Sequence, residues 1–295
     1  MKNLIVNLFK TLFFFDLAII ILTLIPDRKA GSEAVAALWR EGTACVLLLA
    51  LTVIFHRIVE KRKFSIKKGL CNLKFLPLGI LAGAVLPLLY TLAMRCFKAY
   101  NFDGFNKVSK LWIWIAAILL NALWNELLLR GYLFRIYKRH FGFIVATVIT
   151  TALFIAMNHE ILKADRKYFA IIIMLNVLLC FLLEFSNSVI FTVFARFSYC
   201  LISGAMFGGK IFLNEYPLLA KYSFEGKKSI TGGDYIAEGS IVTLIILIIT
   251  LTVMYIIKYK AWQYFTKEKF SEYADGIQRF RGGIKRSLGI KRKIG

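Results

Sequence analysis

The sequence is short of acids and of metal-binding side chains. It has 17 Asp and Glu against 39 Lys and Arg, three His and five Cys in 295 residues. The cysteines, Cys45, Cys71, Cys96, Cys180 and Cys200, are scattered and show no CxxC or other metal-ligand spacing. They are expected to be small, buried, reduced residues. One well-placed His and one Glu fall short of the three protein ligands that a catalytic zinc uses, so no metal and no cofactor is expected. No internal repeat and no low-complexity segment is visible, which weakens a transporter built from inverted halves. The first apolar run lacks a clear small-residue cleavage site and contains Asp16, so it is expected to persist as an uncleaved helix.

What the chain has in abundance is hydrocarbon. It is 59% hydrophobic, more than a soluble domain with a polar surface carries. The apolar residues come in blocks of about 20, long enough to cross a bilayer as helix. A helix also satisfies its own backbone polar groups in lipid. The expected fold is an all-α polytopic membrane helical bundle of about eight transmembrane helices. The spans are 4–25, 36–56, 76–96, 111–136, 144–160, 168–186, 188–212 and 240–257. Arg40, Glu41 and Arg196 interrupt the second and seventh. The transmembrane domain is expected over 1–258, followed by a basic tail at 259–295.

The formal charge of +22 is unevenly placed. The loop "HRIVEKRKFSIKKGLCNLK" carries seven Lys and Arg, the turn "RIYKRHFG" three, and the chain from Lys258 onward eleven. The stretch 214–239 is mixed, with Glu215, Glu225, Asp234 and Glu238 against three lysines. Basic loops face the cytoplasm, so eight crossings at the cell membrane put both termini inside. The 97–110 loop, with three lysines, is a mild exception. Because the basic tail directly follows a span, its expected partners are anionic membrane lipids and not nucleic acid.

The stretch "NALWNELLLRGYLF" places Glu126 and Arg130 inside one of the most apolar runs. At a spacing of i, i+4 they share a helix face and can pair. Such a pair is either a packing anchor or the lining of a functional polar cavity. One helix later, "TALFIAMNHE" carries His159. A hairpin closing beside Gly142 would bring Glu126 and His159 to the same depth, each roughly 25 Å from the turn. It would thus gather Asn125, Glu126, Arg130 and His159 in one layer, a site candidate on physical grounds.

These segments resemble the CPBP family, the CAAX-type prenyl endopeptidases and bacteriocin-processing, abortive-infection relatives. Family motifs read EExxxR, FxxxH, and HxxxN or HxxxD. Here "NELLLRGYLF" matches the first. His159 matches the second, with Ile155 where the Phe stands and Phe154 one position away. "SYCLISGAMFGGK" has the spacing of the third, with Ser198, Gly204 and Gly208 in place. "SITGGDYIAEGS" resembles the segment before the last helix. The resemblance covers roughly 110–257. It implies that Glu126, Arg130 and His159 occupy catalytic positions, and that Asn125, Met206 and Lys210 replace the first Glu, the third-motif His and its Asn.

In the family, the first Glu and the second-motif His activate a water, and the third motif stabilises the oxyanion. An amide at position 125 cannot serve usefully as a general base. Met206 offers no polar hydrogen. Losing one oxyanion donor costs about 2.7–4 kcal/mol of barrier. Lys210 could supply a cation there, pair with Glu126, or snorkel to the interface. The expectation is an intramembrane endopeptidase-like protein with weakened or lost hydrolysis. Its substrate would be a membrane-proximal peptide or a prenylated C-terminus. Two alternatives stand beside it. One is a non-catalytic immunity or scaffold protein with a bacteriocin-related or other membrane partner. The other is a small transporter using Asp16, Arg40, Glu41, Glu184 and Arg196.

Overall fold

The computed structural model describes residues 2–26, 31–58, 73–207 and 217–260. The chain is overwhelmingly helical. Helix α1 spans Lys2–Thr23, α2 Glu33–Ile58 and α3 Leu76–Cys96. Strand β1, Tyr100–Phe105, leads to α4, Leu111–Glu126. That helix continues through a widened π turn, Leu127–Leu133, into α5, Phe134–Met157. Helix α6 is Arg166–Ser186, and α7, Val189–Tyr199, also ends in a π turn, Cys200–Met206. After β2, Ala220–Phe224, and the short α8, Lys228–Thr231, a 3-10 segment, Gly233–Gly239, introduces a last helix, α9. Residues 241–248 of α9 close one compact unit; 249–260, also helical, belong to a second unit, Ile249–Gly295. The predicted tail begins at 259; residues 259 and 260 continue the helix, and 261–295 lie outside the described residues.

Six stretches among the described residues are long and apolar enough to cross a membrane. One of them, Leu111–Met157, runs for 47 residues and is folded double. The fold comes at Gly142, whose φ of 82° and ψ of 177° suit only glycine. Arg196 proves the reversal. It lies 3.6 Å from Glu126 and stacks 5.4 Å over the ring of Phe154. A continuous helix would hold positions 126 and 154 roughly 42 Å apart at 1.5 Å per residue. The predicted hairpin closes beside Gly142, and with α1 the described residues form eight long rods.

Polarity is inverted relative to a water-soluble protein. Val46, Leu81, Ile144 and Val148 are exposed on outer faces, while Glu126, Arg130 and Arg196 are buried. Apolar atoms outward and ionisable groups inward is the pattern lipid imposes. Packing within the bundle uses small residues for close approach. At Gly83 of α3, a Cβ would collide with the Ala195 carbonyl oxygen on α7; at Gly79 it would fall 2.6 Å from that of Phe191. The GILAG stretch therefore lets two backbones touch, as small-xxx-small pairs do in membranes. Helix α1 docks through Phe14, whose ring lies 4.4 Å from Tyr132, and through a 2.9 Å bond between Thr11 and Tyr137.

The structure departs from the predicted spans and loops in several places. The fifth helix stops at Met157 and not at 160, because Asn158 leaves helical backbone and a 3-10 turn, His159–Lys163, redirects the chain. The seventh is helical to Met206, and 208–216 lie outside the described residues. The 97–110 and 214–239 loops are partly ordered together. β1 and β2 pair antiparallel from Tyr100↔Phe224 to Phe105↔Ala220, with a bulge between Phe102 and Gly104. The pairing places these two loops at one end of the bundle, as an even count of crossings between them requires. Of the cysteines, Cys45, Cys180 and Cys200 are buried, Cys96 is exposed, and Cys71 is outside the described residues.

Candidate functional site

Glu126 closes α4, and Arg130 follows one turn later in the π turn. Their pairing is direct: Arg130 Nη1 donates to Glu126 Oε1 at 3.0 Å. The same oxygen lies 3.6 Å from Nη1 of Arg196 on α7. Arg130 Nη2 donates to Asn176 on α6, at 2.7 Å to the side-chain oxygen and 3.2 Å to the backbone carbonyl. Glu126 is 0% exposed, and Arg130 and Arg196 are each 1% exposed. One carboxylate oxygen thus faces two guanidiniums inside the bundle. Glu126 Oε2 has no hydrogen-bond partner among the described residues. Ions buried in low dielectric persist only when so paired, and removing one partner costs about 3–5 kcal/mol.

The π turn explains how one rod serves both charges. An i→i+5 turn widens the helix and rotates the residues beyond it, and such bulges recur at functional sites. The second π turn occupies the third-motif segment. Both motif regions are therefore locally irregular, which no spacing rule in the sequence indicates.

Asn125 faces elsewhere, as adjacent helical residues do, about 100° apart. Its amide donates to the Asn121 carbonyl at 3.0 Å. Asn121 and Trp124 in turn donate to Oε2 of Glu41 on α2, at 3.0 and 2.8 Å. Position 125 thus bonds within α4, next to the residues that tie that helix to Glu41.

His159 is not brought into the buried layer. It opens the 3-10 turn after α5 and is exposed. The expected gathering of Asn125, Glu126, Arg130 and His159 at one level is corrected on this point. The hairpin exists, but the helix ends before 159, and Phe154 is the α5 residue level with Glu126. Met206 is half-buried in the π turn, its thioether lacking any donor hydrogen. Lys210 and Gly208 lie outside the described residues. The third-motif Ser198 is buried and donates to the Ala195 carbonyl at 3.2 Å.

A second polar centre went unread in the sequence. Glu238, counted there with a mixed loop, is fully buried. Tyr199 donates to its Oε1 at 2.8 Å and Tyr168 to its Oε2 at 3.3 Å. Tyr235 stacks on Tyr168 at 4.0 Å and 12°. The TGG…EGS stretch makes this possible. Gly232 takes φ 84°, and a Cβ there would collide with the Ile236 carbonyl oxygen. Ser240 then caps α9 by accepting from Thr243 N at 3.0 Å. The clue was available: an acid just before an apolar helix, after paired glycines, is a poor fit to a solvated loop.

Between the two centres, a void of about 20 Å³ is lined by Gly83, Leu175, Leu179, Arg196 and Tyr199. That is room for about one water. Among the described residues, no three His, Cys, Asp or Glu side chains come together as metal ligands. The other intramembrane charges pair locally: Arg40 with Glu41 at 3.3 Å and Lys138 with Glu184 at 2.6 Å. Asp16 is exposed.

The fold and its buried charges define a multi-pass membrane protein with a polar centre shared by four helices. Residues 107–208 match the family model described as Type II CAAX prenyl endopeptidase Rce1-like. This segment contains the first two motif regions, the third as far as Gly208, and both π turns, a similarity consistent with the CPBP resemblance. No curated protein and no solved structure matches the chain.

Proposed function

We propose that this is a CAAX-endopeptidase-like protein of the cell membrane whose hydrolytic centre has lapsed, leaving a binding frame with both termini in the cytoplasm. One observation carries the reading. The only acid left in the first motif, Glu126, is sealed from solvent and offers the same oxygen to two arginines. A water-activating base needs reach to a water and a substrate carbonyl. Among the described residues, the void beside Arg196 admits about one water. Asn125 cannot substitute, since its amide is engaged with Asn121. His159 stands outside the cluster, and Met206 supplies no oxyanion donor. The ligand suited to the frame is a membrane-proximal peptide or prenylated C-terminus, held without cleavage.

The test is restoration. The parent protein, in membranes, is incubated with a farnesylated CAAX-type peptide beside a triple variant carrying Asn125→Glu, Met206→His and Lys210→Asn. No cleavage by the parent and measurable cleavage by the triple variant is the expected outcome. Cleavage by the parent that disappears in both Glu126→Ala and His159→Ala would overturn the reading.

A further inference from the structure

A groove enclosing about 620 Å³ opens where α3 leaves its apolar run. Its floor is one face of that helix, with Leu88, Leu92 and Arg95 spaced at i, i+4 and i+7. Lys98, Tyr100 and Phe207 close the end. The groove has a polarity gradient. Leu88 lies roughly 10 Å deeper along the helix than Arg95. Leu88 and Leu92 are 51% and 60% exposed, an apolar wall left uncovered by protein. At the other end Arg95 and Lys98 are both exposed. Neither joins an ion pair among the described residues. Among the described residues, no acidic side chain lines the groove.

We infer that this groove holds a membrane glycerophospholipid with an anionic headgroup. One acyl chain lies on Leu88 and Leu92, and the phosphate sits between Arg95 and Lys98. The charge balance favours an anion. The negative end of the α3 dipole, about half a charge, works against it, but two full cations outweigh that. A cationic headgroup amine finds no carboxylate among the described lining residues. Tyr100 fits the same role. Burial, chiefly, pushes its hydroxyl above the usual tyrosine range, with Asp103 adding and Arg95 opposing. The phenol therefore keeps its proton and can donate to a phosphate oxygen. The backbone supplies a separate sign. Lys98 occupies the left-handed region at φ 53°, at the helix end where glycine is the usual residue. A lysine there sets its ammonium one turn beyond Arg95 at the cost of strain. The three lysines that make the 97–110 loop an exception to the charge rule thus acquire a use in Lys98. The inference is independent of whether the protein cleaves peptides.

The test uses the full-length protein in detergent micelles, titrated with phosphatidylglycerol or phosphatidylcholine and read by native mass spectrometry. The parent should retain phosphatidylglycerol preferentially. The double variant Arg95→Gln, Lys98→Gln should lose roughly thirtyfold in that affinity, from two basic contacts, and bind phosphatidylcholine as before. If the double variant unfolds, Lys98→Gly is read instead; it relieves the backbone and should still lose about fivefold. Equal binding of the two lipids by the parent would overturn the inference, as would variants that keep the preference. So would inorganic phosphate competing as well as the lipid, or a farnesylated peptide acid retained more strongly than phosphatidylglycerol.

Discussion

Two buried carboxylates are met from α7 one turn apart, and they are held in opposite ways. Glu126 is fixed by two guanidiniums, through Arg130 and Arg196. Glu238 is fixed by two neutral hydroxyls, through Tyr199 and Tyr168. A guanidinium cannot give up its charge in a protein. The first centre therefore depends on its carboxylate: take that away, and two positive charges stay buried. The second centre tolerates loss of one hydroxyl, because the other still donates. The difference separates an ionic strut, which fixes how α4, α5, α6 and α7 meet, from a hydrogen-bonded clasp that holds the TGG turn against the bundle.

The comparison breaks most sharply at Glu126. Glu126→Gln is nearly isosteric, yet should lower unfolding free energy by about 3–5 kcal/mol, as breaking a buried pair does. Reversible unfolding in bicelles measures it. Next is Tyr199→Phe, which removes the shorter bond to Glu238 and should cost about 1–3 kcal/mol, the penalty for leaving a buried acceptor short of a donor. A similar loss in Tyr199→Phe and Glu126→Gln would erase the distinction between strut and clasp. Gly83→Ala probes what the two share, since α7 carries a contact to each. The added methyl meets the Ala195 carbonyl and should cost about 1–3 kcal/mol by overpacking. Thermal shift should then show both centres loosened together. The smallest effect is expected for Tyr168→Phe, whose bond to Glu238 is 3.3 Å long, at about 0.5–1.5 kcal/mol. Tyr168→Phe proving costlier than Tyr199→Phe would mean that the longer bond, and not the shorter, holds the carboxylate.

The skeleton of this arrangement was legible because it follows from local periodicity. Apolar run lengths marked the rods, Gly142 marked the turn, and i, i+4 spacing marked Glu126 with Arg130. The partners across the bundle were not legible in the same way. Arg196 was visible as a charge inside an apolar run, but nothing in its own segment named Glu126, 70 positions earlier, as its counter-ion. Asn176 carries no signal at all, since a single Asn in a membrane helix is ordinary. His159 was misplaced because the helix was extended three residues too far, and at 100° per residue a short error at a helix end changes where a side chain goes. Glu238 was read from the charge of its loop, although the paired glycines before it indicated a tight, buried turn. The strands in "YNFDGF" and "AKYSF" were hidden by their shortness and by a bulge.

The most direct measurement is a double-mutant cycle on unfolding free energy in bicelles with Glu126→Gln, Arg130→Gln and the pair combined. An ion-paired strut predicts that the double variant loses far less than the two single losses added, with a coupling of about 1–3 kcal/mol. Additive losses would mean that Glu126 and Arg130 do not stabilise each other, and the closed centre described for this protein would have no energetic basis.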